Sequence, residues 1–130
     1  MTPEQKFYYL IKDHLPGHVN RIENSTGVGI PDVNFCFDGL ETWLELKANV
    51  NLLVVQNEVI QIPFGTKRLR DTQLIWHGQR TKAGGRVLVA IRDGDTIKIL
   101  QCRKMHEYRV LLVQKKPWMW DEITAFLEGK

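Results

Sequence analysis

Apolar residues recur along this chain in two periods, and the switches between them mark out its elements. Phe7, Leu10, Ile11 and His14 fall at helical spacing and predict a helix over residues 3–14. Thr2 can cap that helix, Pro3 suits its first turn, and Leu15-Pro16-Gly17 ends it. Residues 18–24, HVNRIEN, alternate polar and apolar and read as a strand, followed by the loop STGVG. From Asp32 to Asp38 the period is two, with Val33, Phe35 and Phe37 on one side and Asp32, Asn34 and Cys36 on the other. Asp38-Gly39 is a two-residue turn signal. The return strand, LETWLELKA, places Leu40, Thr42, Leu44 and Leu46 on one face and Glu41, Trp43, Glu45 and Lys47 on the other.

Beyond Ala48 the pattern loosens. Residues 49–65 are apolar without clean alternation, and a strand is expected near residues 58–63. Asp71 or Thr72 can cap a second helix over residues 72–83, which Gly84-Gly85 closes. RVLVAIR is a nearly continuous apolar strand, as expected of one buried on both faces. The segment DGD turns the chain into the strand TIKILQC. EYRVLLVQ reads as a further strand or part of a helix, and PWMWDEITAFLEGK as a helix started by Pro117. This order predicts an α/β fold, a mixed β-sheet flanked by helices, in one domain over residues 1–130.

Composition narrows the picture little. The chain has 130 residues, 43% hydrophobic and 25% charged, as an ordinary globular protein does. No apolar run reaches membrane-span length, and charges interrupt the N-terminal segment, so a soluble intracellular protein without a membrane partner is expected. A net charge of +3 permits an anionic partner without demanding one. Cys36 and Cys102 have neither zinc-ligand spacing nor a CxxC pattern and read as free thiols.

The chemistry concentrates in the hairpin GIPDVNFCFDGLETWLELKA. If Asp38-Gly39 forms the tight turn, Asp32 falls opposite Glu45 at the open end, with Lys47 two positions along on the Glu45 face. Two facing carboxylates repel and recruit a cation, and oxygen ligands suit Mg²⁺ or Mn²⁺. Lys47 would then orient an attacking water or stabilise charge on a phosphorane. Surface strands also carry Glu and Lys as a cross-face ion pair, and on spacing alone the two readings account for the residues equally well.

The residues RIEN, GIPDVN, WLELK, Gln73, Trp76-His77 and Gly84-Gly85, in that order, resemble the PD-(D/E)XK nuclease superfamily. Within it they are similar to the small VRR-NUC-like and Holliday-junction-resolvase-like nucleases common in phages. The resemblance spans roughly residues 20 to 92 and implies a restriction-endonuclease-like sheet and a metal-dependent endonuclease, structure-selective on branched DNA and leaving 5′-phosphates. It makes Asp32, Glu45 and the Leu46 carbonyl metal ligands and Lys47 catalytic. It also implies a further acidic ligand, Glu23 in RIEN by preference or Glu4 in the first helix. Gln73, near a helix N-terminus, would orient water or phosphate. The resemblance further implies a homodimer, for which the NLLVV segment, Trp118 and Trp120 are candidate contacts or core, and a bacterial or phage-infected cytoplasm. His77 reads as a proton donor facing the site or as a packing residue, and Trp76 as core.

Lys67, Arg68 and Arg70 precede the second helix, and Arg80, Lys82 and Arg86 follow along it. Together they form a candidate track for the DNA backbone, against the plainer reading of a solvated helix face. No motif for base readout accompanies them. The alternative from another class is a non-catalytic DNA-binding or protein-interaction module on the same fold, which is disfavoured because Asp32, Glu45 and Lys47 are all present. An unrelated α/β protein with an ion-paired hairpin is the third reading.

Overall fold

The computed structural model describes residues 1–22 and 28–130. Helix α1 (Pro3–Ile11) opens on the expected cap: Thr2 Oγ1 accepts from Gln5 N at 3.1 Å, and Thr2 N donates to Gln5 Oε1 at 2.8 Å. The α-helix stops three residues earlier than the pattern predicts, and Lys12–His14 form one 3₁₀ turn. Leu15 precedes a proline and is extended (ψ 134°), which the α conformation would not allow.

Among the described residues seven strands follow: β1 (His18–Arg21), β2 (Val33–Phe37), β3 (Leu40–Ala48), β4 (Val59–Gln61), β5 (Arg86–Asp93), β6 (Thr96–Lys104) and β7 (Glu107–Lys115). They form a single sheet in the order β1-β2-β3-β5-β6-β7-β4. Only β3 and β5 run parallel, because helix α2 (Asp71–Lys82) carries the chain across between them. The result is the mixed α/β sheet that the pattern predicts. EYRVLLVQ proves to be strand, paired antiparallel with β6. The first strand ends at Arg21, and the expected strand over 58–63 covers only Val59–Gln61.

Two apolar layers cover the sheet. On one face Phe7 and Ile11 of α1, with Ile123 and Leu127 of helix α3 (Trp120–Leu127), pack on Val33, Phe35, Leu44, Leu46, Leu88 and Ala90. On the other, Leu74 of α2 with Leu52, Ile62 and Leu69 covers Val87, Val89, Leu100, Tyr108 and Val110. Strand β5 contributes to both layers, and residues 87–90 are fully buried, as its continuous apolar run predicts.

Two helix starts differ from expectation. The cap of α2 is Arg70, because Asp71 turns away to accept from Gly65 N at 2.9 Å, while Gln73 Oε1 reaches back to Arg70 N at 2.9 Å. Helix α3 begins at Trp120 rather than at Pro117. Trp118 Nε1 is committed to the Asp95 carbonyl at 2.8 Å, and Met119 N to Gln114 Oε1 at 2.9 Å. Trp118 and Trp120 pack against the first apolar layer of their own chain, and Trp120 stacks on His14. No helix among the described residues is long and apolar enough to cross a membrane.

Candidate active site

The site is built by the β2–β3 hairpin. Asp38 and Gly39 both have positive φ (51° and 80°), as a tight primed turn requires. This fixes the pairs Phe37↔Leu40 through Val33↔Leu44, the register predicted from the sequence. Asp32 stands one residue before the first pair, so the next position across from it is Glu45. Beyond Leu44, β3 has no residue of β2 beside it, and the Asp32 side chain takes that place: Oδ2 accepts from Leu46 N at 2.8 Å. The backbone of Asp32 is held from the other side, where its carbonyl accepts from Ile22 N at 2.7 Å.

The residues before Asp32 explain the Gly-x-Pro-Asp spelling. Gly29 has φ +82° and lies against the first turn of α2, where a Cβ would stand 2.1 Å from the Thr72 carbonyl oxygen. Only glycine fits there. Pro31, buried, then leads straight into Asp32.

Glu45 projects from β3 toward α2, opposite to Leu44 and Leu46, and is 2% exposed. Its carboxyl group lies within hydrogen-bonding reach of that of Asp32. Burial, and then the charge of Glu45, push the Asp32 carboxyl up to about 7. Burial likewise pushes Glu45 up, with the hydrogen bond to Asp32 and the charges of Lys47 and Arg70 pulling the other way and Glu4 adding to the rise. Lys47, half-buried, lowers both carboxyls by its charge and so belongs to the same cluster.

Facing Glu45 from α2 is His77, which is fully buried. Its Nε2 lies 3.6 Å from Glu45 Oε1, and among the described residues neither atom has a hydrogen-bond partner. Its Nδ1 lies 2.7 Å from the hydroxyl of Tyr108, a fully buried residue of β7. Burial pushes His77 down to about 4, with the charge of Lys47 adding to the effect. At neutral pH the contact is therefore a neutral imidazole against a carboxyl group, not a salt bridge. Tyr108 escapes sequence reasoning altogether: it is 31 residues from His77, and a tyrosine in an apolar strand reads as core.

The remaining candidates divide. Glu4 sits close enough to act on Glu45 electrostatically, whereas Glu23, the preferred third carboxylate, lies outside the described residues. Gln73 is buried with its carbonyl oxygen engaged by Arg70 N. Lys67 and Arg68, with Asn49, Asn51 and Thr66, line a polar cleft at the end of β3 just past Lys47, and Arg68 Nε donates to the Asn51 carbonyl. Arg70 is near enough to lower Glu45. Arg80 lies further along α2, its guanidinium over the rings of Trp43 and Trp76 at 5.2 and 4.8 Å. Lys82 is at the far end of α2, about 18 Å from Arg70 at helical rise. Arg86 leaves the candidate track: it donates to Thr42 Oγ1 and to the Leu127 and Phe126 carbonyls at 2.8, 2.8 and 2.6 Å, closing the end of α3.

Among the described residues no three His, Cys, Asp or Glu side chains converge as a ready-made metal cage. The donors present fit a hard cation that keeps much of its water: two adjacent carboxyl groups destabilised as anions, one with an oxygen lacking any partner. A divalent cation would relieve both strains. The set Asp32, Glu45 and the Leu46 carbonyl is all oxygen, as Mg²⁺ or Mn²⁺ prefers.

No protein-family model matches the chain, and no curated protein does. Among solved structures, it is similar to Hjc, a Holliday junction resolvase from the archaeal hyperthermophile Archaeoglobus fulgidus. The alignment covers 95% of this chain and 93% of that one, at a TM-score of 0.49 and 11% identity. At that level the likeness assigns neither family nor substrate.

Proposed function

We propose that this protein is a divalent-cation-dependent endonuclease that hydrolyses phosphodiester bonds in DNA. The observation that carries the reading is the pairing of Asp32 with Glu45 at the open end of the hairpin, each destabilised as an anion by burial and flanked by Lys47. A protein with no use for two such carboxyls would gain stability by losing one.

Asp32, Glu45 and the Leu46 carbonyl would hold Mg²⁺ or Mn²⁺, with Glu4 or Glu23 as the further acid. The bound ion supplies charge stabilisation to the phosphoryl oxygens and acidity to a water. The Lys47 ammonium donates to the attacking water or to the oxygen on which charge develops, and the sheet behind it fixes its direction. Water adds to phosphorus, the P–O3′ bond breaks, and the products are a 5′-phosphate and a 3′-hydroxyl. Lys67, Arg68 and Arg70 hold the DNA backbone beside the carboxylates, and Arg80 and Lys82 extend that contact along α2. The amide of Gln73, placed at the first turn of α2, orients the phosphate or water.

The order of motifs along the chain supports branched DNA as the preferred substrate. Resolving a branch requires two cuts, and hence two copies of the chain. The decisive experiment incubates the protein with four-way junctions, linear duplex and single strands, in Mg²⁺, Mn²⁺ or EDTA. Cleavage in Mg²⁺ that disappears in EDTA, and that Glu45→Gln lowers at least a hundredfold while DNA binding persists, is expected. Binding without cleavage in either metal would instead identify a non-catalytic DNA-binding module.

A further inference from the structure

Two buried polar atoms face each other without a partner among the described residues: Glu45 Oε1 on β3 and His77 Nε2 on α2, 3.6 Å apart. Leaving either unpaired costs about 1–3 kcal/mol, and a movement of roughly 0.6 Å, to a hydrogen bond of about 3.0 Å, would satisfy both at once. The imidazole is well placed to receive that movement. It is fully buried, its Nδ1 is held by the Tyr108 hydroxyl at 2.7 Å, and Tyr108 is itself fully buried on β7, across the sheet from the hairpin.

We propose that His77 and Tyr108 form a buried relay that orients the Glu45 carboxylate, with Tyr108 O–H donating to His77 Nδ1 and His77 Nε2–H donating to Glu45 Oε1. The inference rests on the reading of Glu45 as a cation ligand and adds two positioning residues to it. The direction of the relay follows from counting protons. An ionised carboxylate only accepts, so the nitrogen facing it must carry the hydrogen. A neutral imidazole has one, which leaves Nδ1 bare and makes the tyrosine hydroxyl its donor. The reverse arrangement, with Nδ1–H donating to Tyr108, would set a lone pair of nitrogen against a lone pair of oxygen in a dry site. One oxygen of Glu45 is thereby tied to α2, which leaves the other for the cation. Relays of this kind behind a metal-binding carboxylate typically change metal affinity ten- to a hundredfold.

The test reads the proton directly. In protein with ¹⁵N-labelled imidazoles and saturating Mg²⁺, two-bond ¹H–¹⁵N spectra are expected to show the His77 proton on Nε2 and a bare Nδ1. A proton on Nδ1 overturns the relay. Calorimetric Mg²⁺ titration gives the second readout. His77→Phe is expected to weaken binding about ten- to a hundredfold, His77→Gln, which keeps an N–H donor, to recover most of the loss, and Tyr108→Phe to fall between. In turnover these variants lower kcat and leave KM for DNA unchanged. Equal weakening in the Gln and Phe variants overturns the proposal, since packing alone would then explain the loss. The wild-type spectrum decides the question even where a variant fails to fold. A wild-type chain that takes up no Mg²⁺ overturns the nuclease reading together with the relay, whereas Mg²⁺ uptake with the proton on Nδ1 overturns the relay alone.

Discussion

Removing one of the two paired carboxylates should make the metal-free protein more stable. Asp32 titrates at about 7 instead of its ordinary 3.8, so between those values the folded chain holds a proton that the unfolded chain has lost. The stability this contributes is fully present below about 3.8 and is lost progressively as pH rises to about 7. Three units at 1.36 kcal/mol each set a ceiling of about 4 kcal/mol on the penalty at pH 8. Asp32→Asn removes the ionisation and keeps an oxygen for the Leu46 N–H. His77 acts in the opposite direction: its folded value of about 4 lies below 6.5, so stability is lost as pH falls through that window. Both proteins share this effect, and it largely cancels in their difference. Urea unfolding in EDTA should therefore find Asp32→Asn more stable than wild type by about 2–4 kcal/mol at pH 8, and nearly equal to it at pH 4. Adding Mg²⁺ should reverse the order, because only the native pair binds the ion tightly. A variant less stable than wild type at pH 8 in EDTA, or a difference that ignores pH, would refute the reasoning.

Three further outcomes follow from the geometry. Arg86→Ala should lower stability by about 2–3 kcal/mol in denaturant unfolding, since two α3 carbonyls and Thr42 lose a charged donor, while DNA cleavage per folded molecule stays unchanged. Gly29→Ala should cost at least about 1–3 kcal/mol in thermal unfolding and weaken Mg²⁺ binding, because its φ of +82° and the Thr72 carbonyl force the Asp32 loop off α2. Lys67→Glu with Arg68→Glu should weaken binding to all DNA sequences alike, and each lost contact should make the salt dependence of log affinity shallower by about one.

Much of the site was legible because strand geometry is arithmetic. Once Asp38-Gly39 is taken as the turn, both the facing of Asp32 and Glu45 and the side on which Lys47 lies follow from a period of two. The flanking Leu44 and Leu46 tell which side is core. Helix limits were less legible, because they depend on side chains with more than one possible partner. Asp71 reads as a cap but bonds to Gly65, and a glutamine three residues from Arg70 does the capping. Pro117 reads as a helix start, yet Trp118 is held by a turn 23 residues back and Met119 by the end of the strand just before it. Arg86 belonged to a basic run on paper and closes a helix end in space. The pairing of His77 with Tyr108 needs the β5–β6–β7 meander to be in place, and no local spacing encodes that.

The outermost strands of the sheet, β1 and β4, are four and three residues long. Short rims matter for how such a molecule behaves at high concentration. A sheet grows by recruiting another chain's backbone along an unpaired edge, and a rim of one or two hydrogen bonds offers a poor template. The longer strands that carry the carboxylates and the apolar layers all lie between these two in the strand order, although β4 pairs with β7 only over Glu107–Arg109. At those two rims, an association between copies of this chain would then rest on side chains rather than on a shared sheet.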